Sequence, residues 1–362
     1  MRRFRNVKND IQSNEIGFFK NENEVIISNF QFNTSFDILV KKNDKVKVNQ
    51  EIMKDGNNNK ILSPVSGTIK DVSLVNFLDG LSYAVTIEND KKYEKIDIGA
   101  TIKNKDDLIN ICKDFGLCSN HIFLSKIIEK LNKKLIINAF DIDYIFNQKV
   151  IYINYKDDIE KIINIIKDVC KIEEIIIYTN IENFKLENCK YKLKNKNKKG
   201  DFLTLLDLKN MYNALSNEKI LNLVSVTGGA LNKSLVIDVD LGTKIEDIID
   251  FMGGFKEDIL EIENFKFTAL SALNDFQIME KKLKETKNVE DAKKLETLLL
   301  EKKQEAEEKL FKKLPIYHKK YLNCLSACFF NGKNRKKTTT NLNLALQKEI
   351  FGLHLLNNEQ FY

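Results

Sequence analysis

Residues Phe36 to Val72 read FDILVKKNDKVKVNQEIMKDGNNNKILSPVSGTIKDV, and this stretch decides the architecture of the first part of the chain. Apolar residues alternate in short runs at Ile38 and Val40, at Val46 and Val48, at Ile61, and at Val65, Ile69 and Val72. A period of two turns one side of each run toward a core, and polar or glycine-bearing turns bound them, so the spacing predicts four small strands. Lys42-Asn43-Asp44 tolerates tight or left-handed backbone, and Pro64 and Gly67 bracket a second corner. The product is a compact sandwich of hairpins. Upstream, Val25-Ile-Ile adds a strand to a polar lead-in, and downstream Tyr83 to Ile87 alternates as a strand that closes the barrel.

The order V-x-x-x-D-x-V-x-x-x-Q-x-I, from Val40 to Ile52, followed by Ser63-Pro-Val-Ser-Gly-Thr-Ile69, resembles the barrel-sandwich domains of the biotinyl and lipoyl carriers. The place where such a carrier presents its modified lysine is held here by Gly56, with Lys54 and Lys60 out of register. The module therefore reads as structural, not as a swinging arm.

The chain's 362 residues suffice for roughly two or three domains with their own cores. Its net charge of +6 comes from lysine, with only four arginines among 58 basic side chains, and abundant Lys, Asn and Ile mark a compositional bias. Nucleic-acid binding, which concentrates arginine and aromatic residues on one face, is not expected. Six cysteines, at 112, 118, 170, 189, 324 and 328, form no C-x-x-C pair, which predicts reduced thiols in the cytoplasm. Met1-Arg-Arg-Phe-Arg is followed by polar residues and not by a signal-peptide core, and no run reaches the roughly 18 apolar residues of a membrane span. Membrane association is expected only through partners.

From Asn104 the period lengthens. Asn104 is a fitting N-cap, Leu108, Ile109 and Cys112 share a helical face, and Gly116 ends the helix. A helix around 122–133 leads to a strand from Lys134, Val150-Ile-Tyr-Ile reads as another strand, a helix runs from Asp157 to about Val169, and Glu174 to Thr179 is a strand. Strand, helix, strand at this spacing implies a parallel sheet covered by helices. Residues 183–200, rich in lysine and asparagine, read as a solvated loop before a helix from Phe202 to about Leu215. Leu223–Thr227 and Leu235–Leu241 form a hairpin; Thr243-Lys-Ile-Glu246 fits a capping box; Ile245, Ile248, Ile249 and Met252 make a buried stripe; and Gly253-Gly254 end the helix in left-handed backbone. That is the first half of a β-grasp domain. Residues 276–314 read as a charged helix or helical hairpin, and a helix near 341–356 follows.

The expected organisation is α/β and multidomain: an N-terminal barrel-sandwich hybrid domain (1–103), a Rossmann-like α/β domain (104–220), a β-grasp domain (221–275) and a helical C-terminal region (276–362). Neither G-x-G-x-x-G nor a Walker loop occurs, so the phosphate cradle of a dinucleotide or flavin site is missing. His121, His318 and His354 stand apart from second ligands, and two thiols, Cys324 and Cys328, do not hold zinc or a cluster. Asp141 and Asp143 follow a strand end, where α/β sites lie, but loop carboxylates capping a helix are the favoured reading of the pair.

The whole order resembles a family holding the A subunit of the sodium-translocating NADH:quinone reductase, the C subunit of the Rnf electron-transport complex and the flavin-carrying subunit of respiratory complex I. The likeness rests on the 40–69 pattern, on Asn138-Ala-Phe-Asp-Ile-Asp, on Val224-Ser-Val-Thr-Gly with Leu241-Gly-Thr and Gly253-Gly254, and on the basic stretch 333–340. Rnf C subunits carry ferredoxin-like cysteine runs and the complex I relative carries glycine-rich loops; this chain has neither, so the A subunit of the reductase is the relative that fits. A glycine, proline and histidine loop of that family is replaced here by the lysine-rich run. The resemblance implies a peripheral, cytoplasmic, non-catalytic subunit on the inner face of the cell membrane. It would bind no cofactor directly, with other subunits of a membrane redox complex as partners and quinone as the substrate of the complex. Asn138, Asp141, Gly228 and Gly229 are its candidate quinone contacts. The alternative is a free-standing scaffold or ligand-binding protein that keeps the fold.

Overall fold

The computed structural model describes residues 11, 13–31, 34–77, 80–99, 101–119, 122–140, 148–188, 190–194, 201–227 and 231–254, and the backbone of three strands between 327 and 355. In the first part these are β1 (Ile16–Phe18), β2 (Val25–Ser28), β3 (Phe30–Gln31), β4 (Thr34–Ser35), β5 (Asp37–Ile38), β6 (Lys45–Val46), β7 (Glu51–Lys54), β8 (Lys60–Leu62), β9 (Gly67–Phe77) and β10 (Gly80–Asn89). Sheets β2-β10-β9-β6 and β5-β7-β8 face each other across a core of Val25, Ile27, Phe36, Val46, Ile52, Met53, Ile61, Ile69, Val85 and Ile87. The strand β7 lies in a stretch whose alternation is broken by the adjacent buried Ile52 and Met53, where a bulge falls, so the period of two does not reveal it.

The spaced Asp and Gln of the quoted pattern have a physical role. Asp44 Oδ2 accepts the Lys41 N–H at 2.9 Å and Gln50 Oε1 accepts the Lys47 N–H at 3.0 Å, so each side chain closes its own four-residue turn. The third residue of each turn is an asparagine with positive φ, Asn43 at 74° and Asn49 at 68°. At the second corner a Cβ on Gly67 would collide with the backbone carbonyl of Glu88, so only glycine lets β9 pass β10 there.

The second part contains α1 (Lys105–Asp114), β11 (Cys118–Ser119), β12 (Ile122–Phe123), α2 (Leu124–Glu129), β13 (Lys134–Asn138), α3 (Gln148–Val169), β14 (Glu174–Tyr178), β15 (Lys192–Lys194), β16 (Leu203–Thr204) and α4 (Leu205–Leu215). Sheet order β15-β14-β13-β16 is parallel throughout. Asn104 caps α1 through a reciprocal box with Asp107, and Thr204 does the same for α4 with Asp207. Two expectations are corrected here. Val150-Ile-Tyr-Ile is helical, forming the start of α3 ahead of an irregular residue at Tyr155 (φ −133°, ψ 22°); a short β-branched run does not distinguish a strand from a buried helical turn, and both Val150 and Ile151 are fully buried in the helix. The lysine-rich run is not all loop, because exposed β15 adds to the sheet edge and Phe184 and Leu186 are buried.

The third part contains β17 (Leu223–Thr227), β18 (Leu235–Asp238), α5 (Ile245–Phe251), β19 (Ala327–Phe330), β20 (Lys336–Thr339) and β21 (Gly352–Leu355). They form one sheet with the N-terminal strand, in the order β1-β18-β17-β21-β19-β20; β1 runs parallel to β18, and β21 parallel to β17. The C-terminal region is thus corrected from wholly helical: three of its segments are strands, including 352–355 where a helix was expected. The predicted helix over 276–314 lies outside the described residues. Ile245, Ile248, Ile249 and Met252 are buried, and Gly253 and Gly254 have φ of 88° and 74°, as their spacing predicts. The Thr243–Glu246 capping box does not form. The helix is capped at Lys244 without a side-chain bond, because the buried Thr243 hydroxyl donates to the Asp240 carbonyl at 2.7 Å and accepts from Asn21 Nδ2 at 3.2 Å.

Candidate functional site

The three parts meet at one place. At the end of α1, Gly116 (φ 54°) donates to Lys113 O and Leu117 to Cys112 O, a left-handed helix stop that turns Leu117 and Cys118 toward the barrel. In the barrel, Asn59 closes the β7–β8 hairpin: Asp55 Oδ1 accepts the Asn57 and Asn59 N–H groups, Asp55 Oδ2 accepts Asn59 Nδ2, and Ser125 of α2 donates to Asn59 Oδ1 at 3.3 Å. Gly56 sits in this hairpin, Asn59 is fastened to the body, and Lys60 pairs with Glu51 and Asp114, so the barrel's tip is tied down where a carrier would have its arm.

Between the barrel corner at Ser63-Pro64, the end of α1, the start of α4 and the segment 219–223 lies a cavity of about 120 Å³. Its walls are mainly apolar, with Leu62, Leu117, Leu124, Leu206, Leu221 and Leu241 among them. Asn210 on α4 fixes the segment at one side by donating to Leu221 O at 3.0 Å and accepting Leu221 N–H at 2.8 Å.

A charged cluster borders this cavity. Lys219 Nζ lies 2.8 Å from Asp238 Oδ2 and 3.0 Å from Asp240 Oδ1, while both carboxylate side chains are 2% exposed. Asp238 Oδ1 also accepts the Asn222 N–H at 2.8 Å. From the barrel side, Tyr93 donates to Asn21 O at 2.6 Å and stands 3.3 Å from Asp240 Oδ2. Close backbone approach completes the joint: Ile26 N–H donates to Gly242 O at 3.0 Å, and a Cβ on Gly242 (φ 85°) would meet Ile26 backbone atoms at 2.8 Å.

The electrostatics follow from burial. Burial pushes the Asp240 carboxyl above its ordinary value against the pull of Lys219, with neighbouring Asp238 adding to the rise. Burial alone would lower Lys219, but Asp238 and Asp240 hold its ammonium above the usual lysine value. The Tyr93 phenol is pushed up to about 12 by burial and by the Asp240 charge. Lysine and tyrosine therefore keep their protons at neutral pH. The arrangement is a desolvated ion-pair cluster at the joint between the barrel and the third part of the chain.

Of the four sequence candidates, Asn138 ends β13 between Tyr178 and Thr204, is buried at 2% exposure, and does not line the cavity. Asp141, Gly228 and Gly229 lie outside the described residues. Sequence reasoning missed Lys219, Asp238, Asp240, Asn222 and Tyr93. A usable signal was present in Leu-Val-Ile-Asp-Val-Asp-Leu, where two carboxylates two residues apart occupy one face of an apolar strand. Among the described residues there is no group of three or more His, Cys, Asp or Glu placed to hold a metal ion, and no helix long and apolar enough to cross a membrane.

Residues 4–92 match the family model described as the RnfC barrel sandwich hybrid domain. No curated protein matches the chain.

Proposed function

We propose that this chain is a peripheral subunit of a membrane-bound electron-transport complex of the Rnf type or of its relative, the sodium-translocating NADH:quinone reductase, and that it holds no redox centre of its own. The observation that carries this reading is the match of residues 4–92 to the RnfC barrel sandwich hybrid domain. The remainder of the chain supports it. The parallel sheet β15-β14-β13-β16 with its helices suits a Rossmann-like assignment for the second part. In the third part, a hairpin, a helix and a return strand parallel to the first hairpin strand, in the order β18-β17-β21-β19-β20, suit a β-grasp.

The missing ferredoxin-type cysteine runs favour a structural part in the complex over direct electron transfer. In this reading the protein lies on the cytoplasmic face, reaches the membrane through its partners, and contributes to assembly or to shaping a quinone site, with Asn138, Asp141, Gly228 and Gly229 as the residues proposed for quinone contact. Translocation of sodium would belong to the assembled complex. Native electrophoresis of detergent-solubilised membranes tests the assignment. The chain is expected in a band well above 42.0 kDa together with flavin-containing subunits, and migration of all of it at its own mass would refute the reading.

A further inference from the structure

We propose that the outer edge of β15 is a docking strand for an extended, acidic polypeptide segment whose carboxylates recur at alternate residues. Such a surface depends on the sheet of the second part alone and stands independently of membership in a complex.

Charge spacing comes first. Lysine occupies positions 190, 192, 194, 196 and 198, a period of two, and the last two of these lie outside the described residues. Successive side chains of a strand alternate between its faces. Lys192 and Lys194 therefore project from one face of β15, roughly 7 Å apart, while Leu193 projects from the other and is 50% exposed. Lys192 is engaged by Glu174 at 2.6 Å, and the Lys194 ammonium stands 5.6 Å from the centre of the Tyr178 ring. Among the described residues no ion pair takes Lys190 or Lys194, and both side chains are exposed, so an incoming carboxylate can reach them. Cations at this spacing lie within a Debye length and repel one another, which an acidic segment relieves.

The backbone supplies the second observation. β15 is the outermost strand of the order β15-β14-β13-β16. It runs parallel to β14 with Lys192 opposite Ile176 and Lys194 opposite Tyr178, and the Lys194 carbonyl accepts the Thr179 N–H at 3.1 Å. In a parallel ladder alternate residues turn both backbone groups to the same neighbour. Lys192 and Lys194 thus face β14, and the N–H and C=O of Leu193 point outward, with no strand beyond them among the described residues. An open edge accepts a further strand, and strand addition is a general mode of peptide recognition. The lysines decide which strand. Two copies of this edge would bring like charges together, whereas a segment with a carboxylate at every second residue matches the lysine spacing. An anionic membrane or a nucleic acid would use the lysines and leave the Leu193 N–H unused, so the outward backbone favours a polypeptide.

The test is fluorescence anisotropy, with the full chain titrated into a short labelled peptide of alternating glutamate and valine and the lysine–valine counterpart as control. The glutamate peptide is expected to bind saturably, about tenfold or more tighter than the lysine peptide, and to weaken as salt is raised. Leu193→Pro removes the outward donor and spares the ladder to β14, which uses Lys192 and Lys194; it is expected to weaken the peptide about tenfold with an unchanged urea midpoint. Lys190→Glu combined with Lys194→Glu reverses two exposed charges and is expected to abolish binding in a folded chain, a result that stands even where the proline variant unfolds. Absence of saturable binding by the glutamate peptide, equal affinity for both peptides, or an affinity unchanged in folded Leu193→Pro overturns the proposal. Capture of the chain on phosphatidylserine vesicles with the glutamate peptide left unbound would assign the lysines to a membrane and equally overturns it.

Discussion

Replacing Lys219 by methionine keeps the aliphatic stem and removes the cation between two buried carboxylates. At an effective dielectric of about 20, a charge 2.8–3.0 Å from each oxygen contributes a gross attraction of about 6 kcal/mol per carboxylate, much of it offset by the desolvation of the three charges. Stranding a buried charge has a net destabilising effect of about 3–5 kcal/mol; the Lys219 side chain is 47% exposed, so solvent screening reduces this to roughly 2–3 kcal/mol. The loss depends on pH with a definite sign. Asp240 already has a raised pKa, and losing Lys219 raises it further, so the folded variant takes up a proton that the unfolded chain releases. The penalty is therefore full above the raised pKa and is relieved as pH falls through it. Urea unfolding followed by far-UV circular dichroism at pH 8 and pH 5 reads this directly: with a slope of about 3 kcal/mol per molar urea, the midpoint falls by about 0.7–1 M at pH 8 and by less at pH 5. Adding Asp240→Asn should restore much of the loss at pH 8. An unchanged midpoint at pH 8, or an equal loss at both pH values, would refute the clamp.

Other consequences arise from the same joints. Asp55→Ala removes the acceptor of three N–H bonds in the β7–β8 hairpin and should lower stability by about 2–3 kcal/mol, measured by the urea midpoint; a loss below about 0.5 kcal/mol would mean that the hairpin is held elsewhere. Gly67→Ala, which drives a methyl into the Glu88 carbonyl, should destabilise the barrel by roughly 3 kcal/mol or more, whereas Gly56→Ala, with nothing within 4 Å of the new Cβ, should stay within about 0.5 kcal/mol; thermal melts of the pair compare them. Thr204→Val opens the buried cap of α4 and should lower stability by about 1–2 kcal/mol, with Thr204→Ser recovering most of it.

Legibility tracked how local the deciding forces are. The barrel could be read because Asp44 and Gln50 close turns within four residues and the apolar positions alternate between them. The caps of α1 and the glycine stop of α5 were equally local. Val150–Ile153 was misread because a β-branched run suits either period until its neighbours are known, and the cap at Thr243 failed because Asn21, far away in sequence, claims its hydroxyl. The site suffered most from distance. Lys219 comes from a connector, Asp238 and Asp240 from the end of a strand, and Tyr93 from the barrel, so no window of sequence holds the cluster. Lys336–Thr339 and Gly352–Leu355 become strands through pairing in the sheet that β17 starts, which their own composition does not announce.

The most direct measurement of the central claim is affinity purification of the tagged chain from detergent-solubilised membranes, with mass spectrometry and an absorption spectrum of the eluate. Membership in an electron-transport complex predicts stoichiometric recovery with membrane subunits that carry flavin, while the chain purified by itself is colourless. Recovery of the chain alone would contradict the account and leave a free-standing protein built on the same fold.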